Sequence, residues 1–245
     1  MTMHQTIKSL FCAASALMLG SAHLHATPST TYWTPCTIDM QAPGVTHITL
    51  DDYFTVGEDA PDAGDLPTDV GLTFGWRLGG KAQVEAGFDW LEPSDDPLYL
   101  NAKIGYPEGA LGPNAPGVQL GFVNFGTKDG VTDQNIVHLI VGKSLPNKKT
   151  RVHASYYVGN GDTLRSSSGD KENGGFMIGC DHVLKPGKFI LAGDYASGDN
   201  AIGGGGIGLY TYFTKDISLL VGPVWFNDKG INGEMKWTTQ LDVNF

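Results

Sequence analysis

A two-residue alternation of apolar and polar side chains limits most tightly what this chain can fold into. Val70, Leu72, Phe74, Trp76 and Leu78 alternate with Gly71, Thr73, Gly75 and Arg77. Ala82, Val84, Ala86, Phe88 and Trp90 alternate with Gln83, Glu85, Gly87 and Asp89. The same period runs through Leu98 to Tyr106, with Tyr99, Asn101, Lys103 and Gly105 on the second face, and through Arg151 to Val158. Successive side chains of a strand point to opposite faces, so this period builds a sheet with one apolar and one polar side. Less regular strands are predicted near 45–56, 117–126, 134–143, 174–184, 187–196, 206–214, 216–227 and 236–245. The expected fold is all-β, with about twelve strands of about ten residues each.

Composition removes the competing classes. Aromatic residues at 10 % against charged residues at 17 % are too many for a disordered chain. The 34 glycines have no three-residue period, so this is not a collagen-like rod. A net charge of -10 without a basic cluster speaks against a nucleic-acid partner. Beyond the N-terminus no apolar run reaches the ~18 residues of a spanning helix.

Lys8, the apolar stretch Ser9 to Gly20 and the small residues up to Ala26 have the order of an export signal. Residues 1–26 are therefore expected to be a cleaved signal peptide. Residues 27–44, with Pro28, Pro35 and Pro43, form a segment that either trails in the periplasm or enters the barrel as a plug. Residues 45–245 make a single β-domain. Joints after its even-numbered strands are mostly short and those after odd-numbered strands are longer and acidic or glycine-rich. That is the pattern of periplasmic turns and extracellular loops in a transmembrane antiparallel up-and-down β-barrel.

The C-terminus carries the most specific signal. Trp237, Thr239, Leu241, Val243 and the terminal Phe245 share one face, and Thr238, Gln240, Asp242 and Asn244 the other. This resembles the last strand of bacterial outer-membrane β-barrel proteins of the porin-like class. The resemblance implies the outer membrane of a Gram-negative bacterium, with lipids and lipopolysaccharide around the wall. It also implies that Trp237, Leu241, Val243 and Phe245 are read by the barrel-assembly machinery. A soluble sandwich also alternates, but it would not need the loop-length pattern.

In such a barrel Glu85, Asp89, Asn101, Lys103, Arg151, His153 and Asp194 are expected to line the lumen. They either pair with one another and close the interior or border a polar path. The function expected is a small porin-like channel for passive passage of small polar solutes. The alternative is a non-conducting structural or adhesion barrel whose loops bind partners. A third reading, an outer-membrane lipid hydrolase, rests on His153-Ala154-Ser155, which is similar to the His-x-Ser pairing of outer-membrane phospholipase. Tyr156 and Tyr157 depart from that family's Asn-Gly, and the alternation turns His153 and Ser155 inward, so no enzyme is expected.

Cys36 and Cys180 remain after export, which permits one disulfide in an oxidising compartment. No metal site or cofactor is expected. Gly203-x-Gly205-x-x-Gly208 opens a strand and not a helix, so it is not a dinucleotide site. Glu58, Asp59, Asp62, Asp65 and Asp69 lack calcium-loop spacing and are read as solvated charge.

Overall fold

A computed structural model describes residues 30–56 and 64–245. The expected signal peptide and the acidic residues Glu58, Asp59 and Asp62 lie outside the described residues. Twelve strands form one closed antiparallel barrel: β1 (Thr46–Phe54), β2 (Thr68–Gly79), β3 (Ala82–Glu92), β4 (Leu98–Tyr106), β5 (Gly117–Gly126), β6 (Asp133–Ser144), β7 (Thr150–Val158), β8 (Gly174–Lys185), β9 (Phe189–Ala196), β10 (Gly204–Tyr212), β11 (Ile217–Phe226) and β12 (Met235–Asn244). Each strand pairs with its neighbours in sequence. β12 closes on β1, from His47 opposite Asn244 to Phe54 opposite Trp237. Closure leaves no unpaired edge, as lipid requires because it cannot hydrogen-bond a backbone.

The alternation places the apolar set outside. Leu50, Val70, Leu100, Leu139, Tyr156, Ile178 and Ile207 are all exposed. This continuous apolar band is a surface for acyl chains, since a water-soluble monomer does not carry one of that extent. Aromatics border it. Trp76, Tyr106 and Phe245 lie towards the end that holds the C-terminus, and Trp90 and Trp225 towards the other. These positions match the two interfacial girdles of an outer-membrane barrel.

The connections 80–81, 107–116, 145–149, 186–188 and 213–216 share the end that holds Phe245 and the start of β1. By the pattern of such barrels this is the periplasmic end. The longest of them, 107–116, is tied down by Glu108, which accepts hydrogen bonds from the Ser144 amide (2.9 Å) and hydroxyl (2.7 Å). Burial pushes the Glu108 carboxyl up, but these bonds and Lys143 outweigh it and hold the group below its usual range. The opposite end carries the longer loops, including a one-turn helix α1 (Lys229–Asn232). There Asp228 accepts the Ser167 amide at 2.7 Å, which joins two loops and lowers its carboxyl's pKa.

The inner face differs around the barrel. In β1, β3, β4 and β12 it is polar, with His47, Glu85, Lys103, Thr238, Gln240 and Asp242 buried. From β6 to β11 it is mixed: β7 presents Arg151, His153 and Ser155, whereas β6 and β8 to β11 also carry many apolar residues. Ile136, Ile140, Met177, Ile190, Ala192, Leu220 and Val224 are buried inside the barrel, not on its lipid side. A twelve-stranded barrel has an interior too wide to be filled by wall side chains alone. Something else must therefore cover these apolar residues.

Candidate functional site in the barrel lumen

Residues 30–44 fill the lumen. The segment leaves the periplasmic start of β1, where the Gly44 amide donates to the Gly75 carbonyl at 2.9 Å. Its Gln41 amide donates to Glu85 Oε2 at 2.5 Å, and the Gln41 side-chain amide donates to Asn244 at 2.7 Å. Further in, Ile38 donates its amide to His153 Nδ1 at 3.4 Å and accepts from the Gln119 side chain. The segment then turns at 31–34, closed by a Thr31 amide to Thr34 carbonyl bond of 3.1 Å.

Asp194 holds that turn. Its carboxylate accepts the backbone amides of Tyr32 (2.9 Å), Trp33 (3.1 Å) and Thr34 (2.8 Å) and the Thr34 hydroxyl (3.0 Å). Successive amides aimed at one anion form a backbone nest. Hydrogen bonds to a charged group contribute about 1.5–3 kcal/mol each. Tyr32 is fully buried, and its hydroxyl donates to the Pro223 carbonyl at 2.9 Å. Its ring lies against Gly206 and Gly208, where a Cβ would overlap ring carbons. Glycine is needed there because the segment comes so close to the wall. Trp33 makes edge contacts with Tyr53 and Phe226, both at 5.2 Å, and its indole donates to the Ile202 carbonyl at 3.0 Å.

An ion-pair clasp holds the segment nearer the periplasm. Arg151 reaches Asp39 in bidentate fashion at 2.6 and 2.7 Å and also contacts both oxygens of Asp181 at 3.0 Å. His153 Nε2 lies 3.3 Å from Asp181. Burial raises the Asp39 carboxyl, but Arg151 beside it wins and holds it below its ordinary range. The gap left between segment and wall here is about 10 Å³, bordered by Thr31, Thr37, Asp39, Arg151, Asp181 and Tyr210. That is room for about one water.

The structure turns Glu85, Lys103, His153 and Asp194 inward and buries them. Lys103 stands opposite Glu85 across β3 and β4, and Asp89 accepts the Asn101 side-chain amide at 2.6 Å. Glu85, Arg151, His153 and Asp194 bind the segment directly, whereas Asp89 and Asn101 bind each other beside it. Asp39, Gln41, Gln119, Asp181 and Gln240 belong to the same network and were not singled out from sequence. Asp181 had a legible parity with Gly179 and Met177, but both faces of β8 carry apolar residues, which hid its direction.

The Cys36–Cys180 disulfide does not form. Both cysteines are free, Cys36 buried with the lumenal segment and Cys180 exposed on the outer face. The Cys36 carbonyl does approach β8, but at Gly179; the next residue, Cys180, points the other way because strand side chains alternate. Burial pushes the Cys36 thiol up to about 12, with Asp194 adding to the rise and Lys103 opposing it. Folded protein in detergent should therefore show one alkylatable thiol, Cys180, and a second only after unfolding. Two reactive thiols, or none, in the folded state would contradict this arrangement.

The lipid-hydrolase pairing is absent too. His153 engages Asp181 and the Ile38 amide, while Ser155 lies 3.5 Å from His138 Nδ1. All three side chains are buried in the lumen, away from lipid. Asp69 also points inward, directly opposite Asp51, so it is not solvated loop charge. Among the described residues no group of three or more side chains is arranged to hold a metal ion.

No family model and no curated protein sequence matches the chain. Solved structures do. The chain is similar to the NanC porin (TM-score 0.51, 9 % identity, covering 81 % of this chain and 98 % of that one). It is similar to the same extent to the KdgM porin (TM-score 0.50, 8 % identity, 81 % and 98 %). An outer-membrane channel from Pseudomonas putida F1 also aligns, with TM-score 0.49 and 13 % identity over 84 % of this chain and 97 % of that one. At these identities the likeness speaks for the fold. With its apolar outer band, aromatic girdles and closed antiparallel wall, the chain is an outer-membrane β-barrel of porin-like architecture.

Proposed function

We propose that this barrel is a channel for small polar solutes whose lumen is closed at rest by residues 30–44. The observation that carries the reading is how the segment is attached. It is held by hydrogen bonds and one ion-pair clasp to polar wall residues, while the wall closes through its own β1–β12 ladder. Withdrawal of the segment would leave a complete barrel whose β1–β4 side is polar. That side carries Asp51, Asp69, Asp89 and Glu85 against Lys103, and such a predominantly acidic wall favours cations over anions.

Planar-bilayer recording tests the reading. The full-length exported protein is expected to be silent or to open rarely, and a variant lacking residues 30–43 to conduct steadily. Replacing Asp89 and Glu85 by Asn and Gln should move the variant's reversal potential towards anions. A folded deletion variant, shown by its heat-dependent electrophoretic mobility, that does not conduct would overturn the channel. The apolar packing of Tyr32 and Cys36 would then support the second reading, a permanently filled structural barrel.

A further inference from the structure

The two ends of the barrel carry opposite charge. At the periplasmic end Arg77, Lys81, Lys148, Lys149, Lys185 and Lys188 are all exposed. They lie on three of the connections that ring that end or, for Arg77 and Lys185, on the strand ends that lead into them. Among the described residues none of the six makes an ion pair within the chain, unlike Lys143 with Glu108 or Lys215 with Asp216. The opposite end exposes Asp95, Asp129, Asp170 and Asp199. The net charge of -10 thus conceals a cationic collar at one end of the molecule.

The collar is interleaved with apolar side chains. Arg77 stands between Trp76 (50 % exposed) and Leu78 (65 %), and Lys185 follows Leu184 (53 %). Leu145 lies in the same turn as Lys148 and Lys149. Apolar groups at this height sit among acyl chains. A long basic side chain beside them extends to the headgroup layer, where its charge meets phosphate. An acidic soluble partner would match the charges but not the exposed Trp76, Leu78 and Leu184 between them. Anionic phospholipid matches both.

We propose that the periplasmic collar of Arg77, Lys81, Lys148, Lys149, Lys185 and Lys188 is a binding surface for anionic phospholipid headgroups of the inner leaflet. It anchors the barrel vertically and fixes which end faces the periplasm. The acidic loop end does not compete for these headgroups, so the charge separation itself is an orientation device. The surface is independent of whether the lumen conducts.

The test uses the full-length barrel in mixed phosphatidylcholine and phosphatidylglycerol vesicles, with spin-labelled lipids reporting the motionally restricted shell. Spin-labelled phosphatidylglycerol is expected to be retained over phosphatidylcholine by about fivefold for each basic residue that engages a headgroup. The preference should fall with added salt. It should fall steeply in the quadruple variant Lys148→Gln, Lys149→Gln, Lys185→Gln, Lys188→Gln, which keeps only Arg77 and Lys81 of the collar and whose changes are all at exposed side chains. Neutralising Asp129, Asp170 and Asp199 should leave it unchanged. Equal retention of the two lipids by the native barrel would overturn the proposal. So would a preference that is undiminished in the quadruple variant. Retention that is lost on adding an acidic polypeptide but insensitive to lipid charge would assign the collar to a protein partner instead, and would also overturn it.

Discussion

Replacing Asp194 by alanine should free the tip of the lumenal segment and expose Cys36. The native carboxylate satisfies three successive buried amides and one hydroxyl. Without it those amides face a cavity with no acceptor, and each buried donor left unpaired costs about 1–3 kcal/mol. Even about 3 kcal/mol in total raises the displaced population roughly a hundredfold. Cys36 is a native reporter of that population, since it is fully buried and moves with the segment. In a Cys180→Ala background, alkylation of Cys36 by a membrane-impermeant maleimide should accelerate by about that factor. Asp194→Asn keeps one acceptor oxygen and should give a smaller increase. The wall should remain folded, because β9 keeps its backbone pairs to β8 and β10. An unchanged alkylation rate in Asp194→Ala would mean that the segment is not held by its tip.

The second large effect is expected at Arg151. Its guanidinium neutralises Asp39 from the segment and Asp181 from the wall at once. Arg151→Ala leaves both carboxylates without their cation, and breaking one partner of such a pair costs about 3–5 kcal/mol when buried. The clasp is partly open to water, with Arg151 and Asp39 side chains 28 % and 27 % exposed, so the low end, about 3 kcal/mol, is expected. The readout is the urea midpoint of barrel unfolding. Arg151→Lys keeps the charge but not the two-pronged geometry and should recover only part of the loss. A midpoint unchanged in Arg151→Ala would show that the clasp contributes nothing net. The pH dependence follows from Asp39. Its folded-state pKa is depressed, so its contribution is present above the unfolded carboxylate value and disappears as pH falls through the folded one. Acid should therefore loosen the clasp, and Arg151→Ala should lose that response.

The lumenal segment explains which strands were easy to read. β2, β3 and β4 alternate cleanly because their inner faces are polar or glycine and their outer faces apolar. In β6 the residues Ile136 and Ile140 point inward while Val137, Leu139 and Val141 point outward. Both faces are apolar, so period two carries no direction there. Of the inward pair, Ile136 packs with Cys36, Leu164 and Tyr157. The same holds for β10 and β11, whose inward Tyr210, Leu220 and Val224 surround Tyr32. A strand that meets lipid on one side and a packed segment on the other resembles a core strand. The loss of contrast in β6, β10 and β11 was itself the trace of the plug.

The residues of the candidate site divide along the same line. Glu85, Asp89, Lys103, Arg151, His153 and Asp194 were legible as lumenal because parity alone decides which side of a wall a side chain takes. What each of them binds was not legible. Asp194 and Tyr32 are separated by 162 positions, and Arg151 and Asp39 by 112. Nothing local encodes contacts at those separations.

From sequence alone the chain is a closed, lipid-facing barrel of twelve strands, because alternation, loop lengths and the aromatic C-terminal strand all depend on local periodicity. The filled lumen, the free thiols on opposite sides of the wall and the clasp across Asp39 and Arg151 were decided only by tertiary structure. Residues 27–44 have no period and obey no pairing rule, so trailing or plugging looked alike in one dimension. The segment's place is set by complementarity with a surface that exists only once twelve strands have closed, where a buried carboxylate meets three amides and an aromatic ring meets bare glycine.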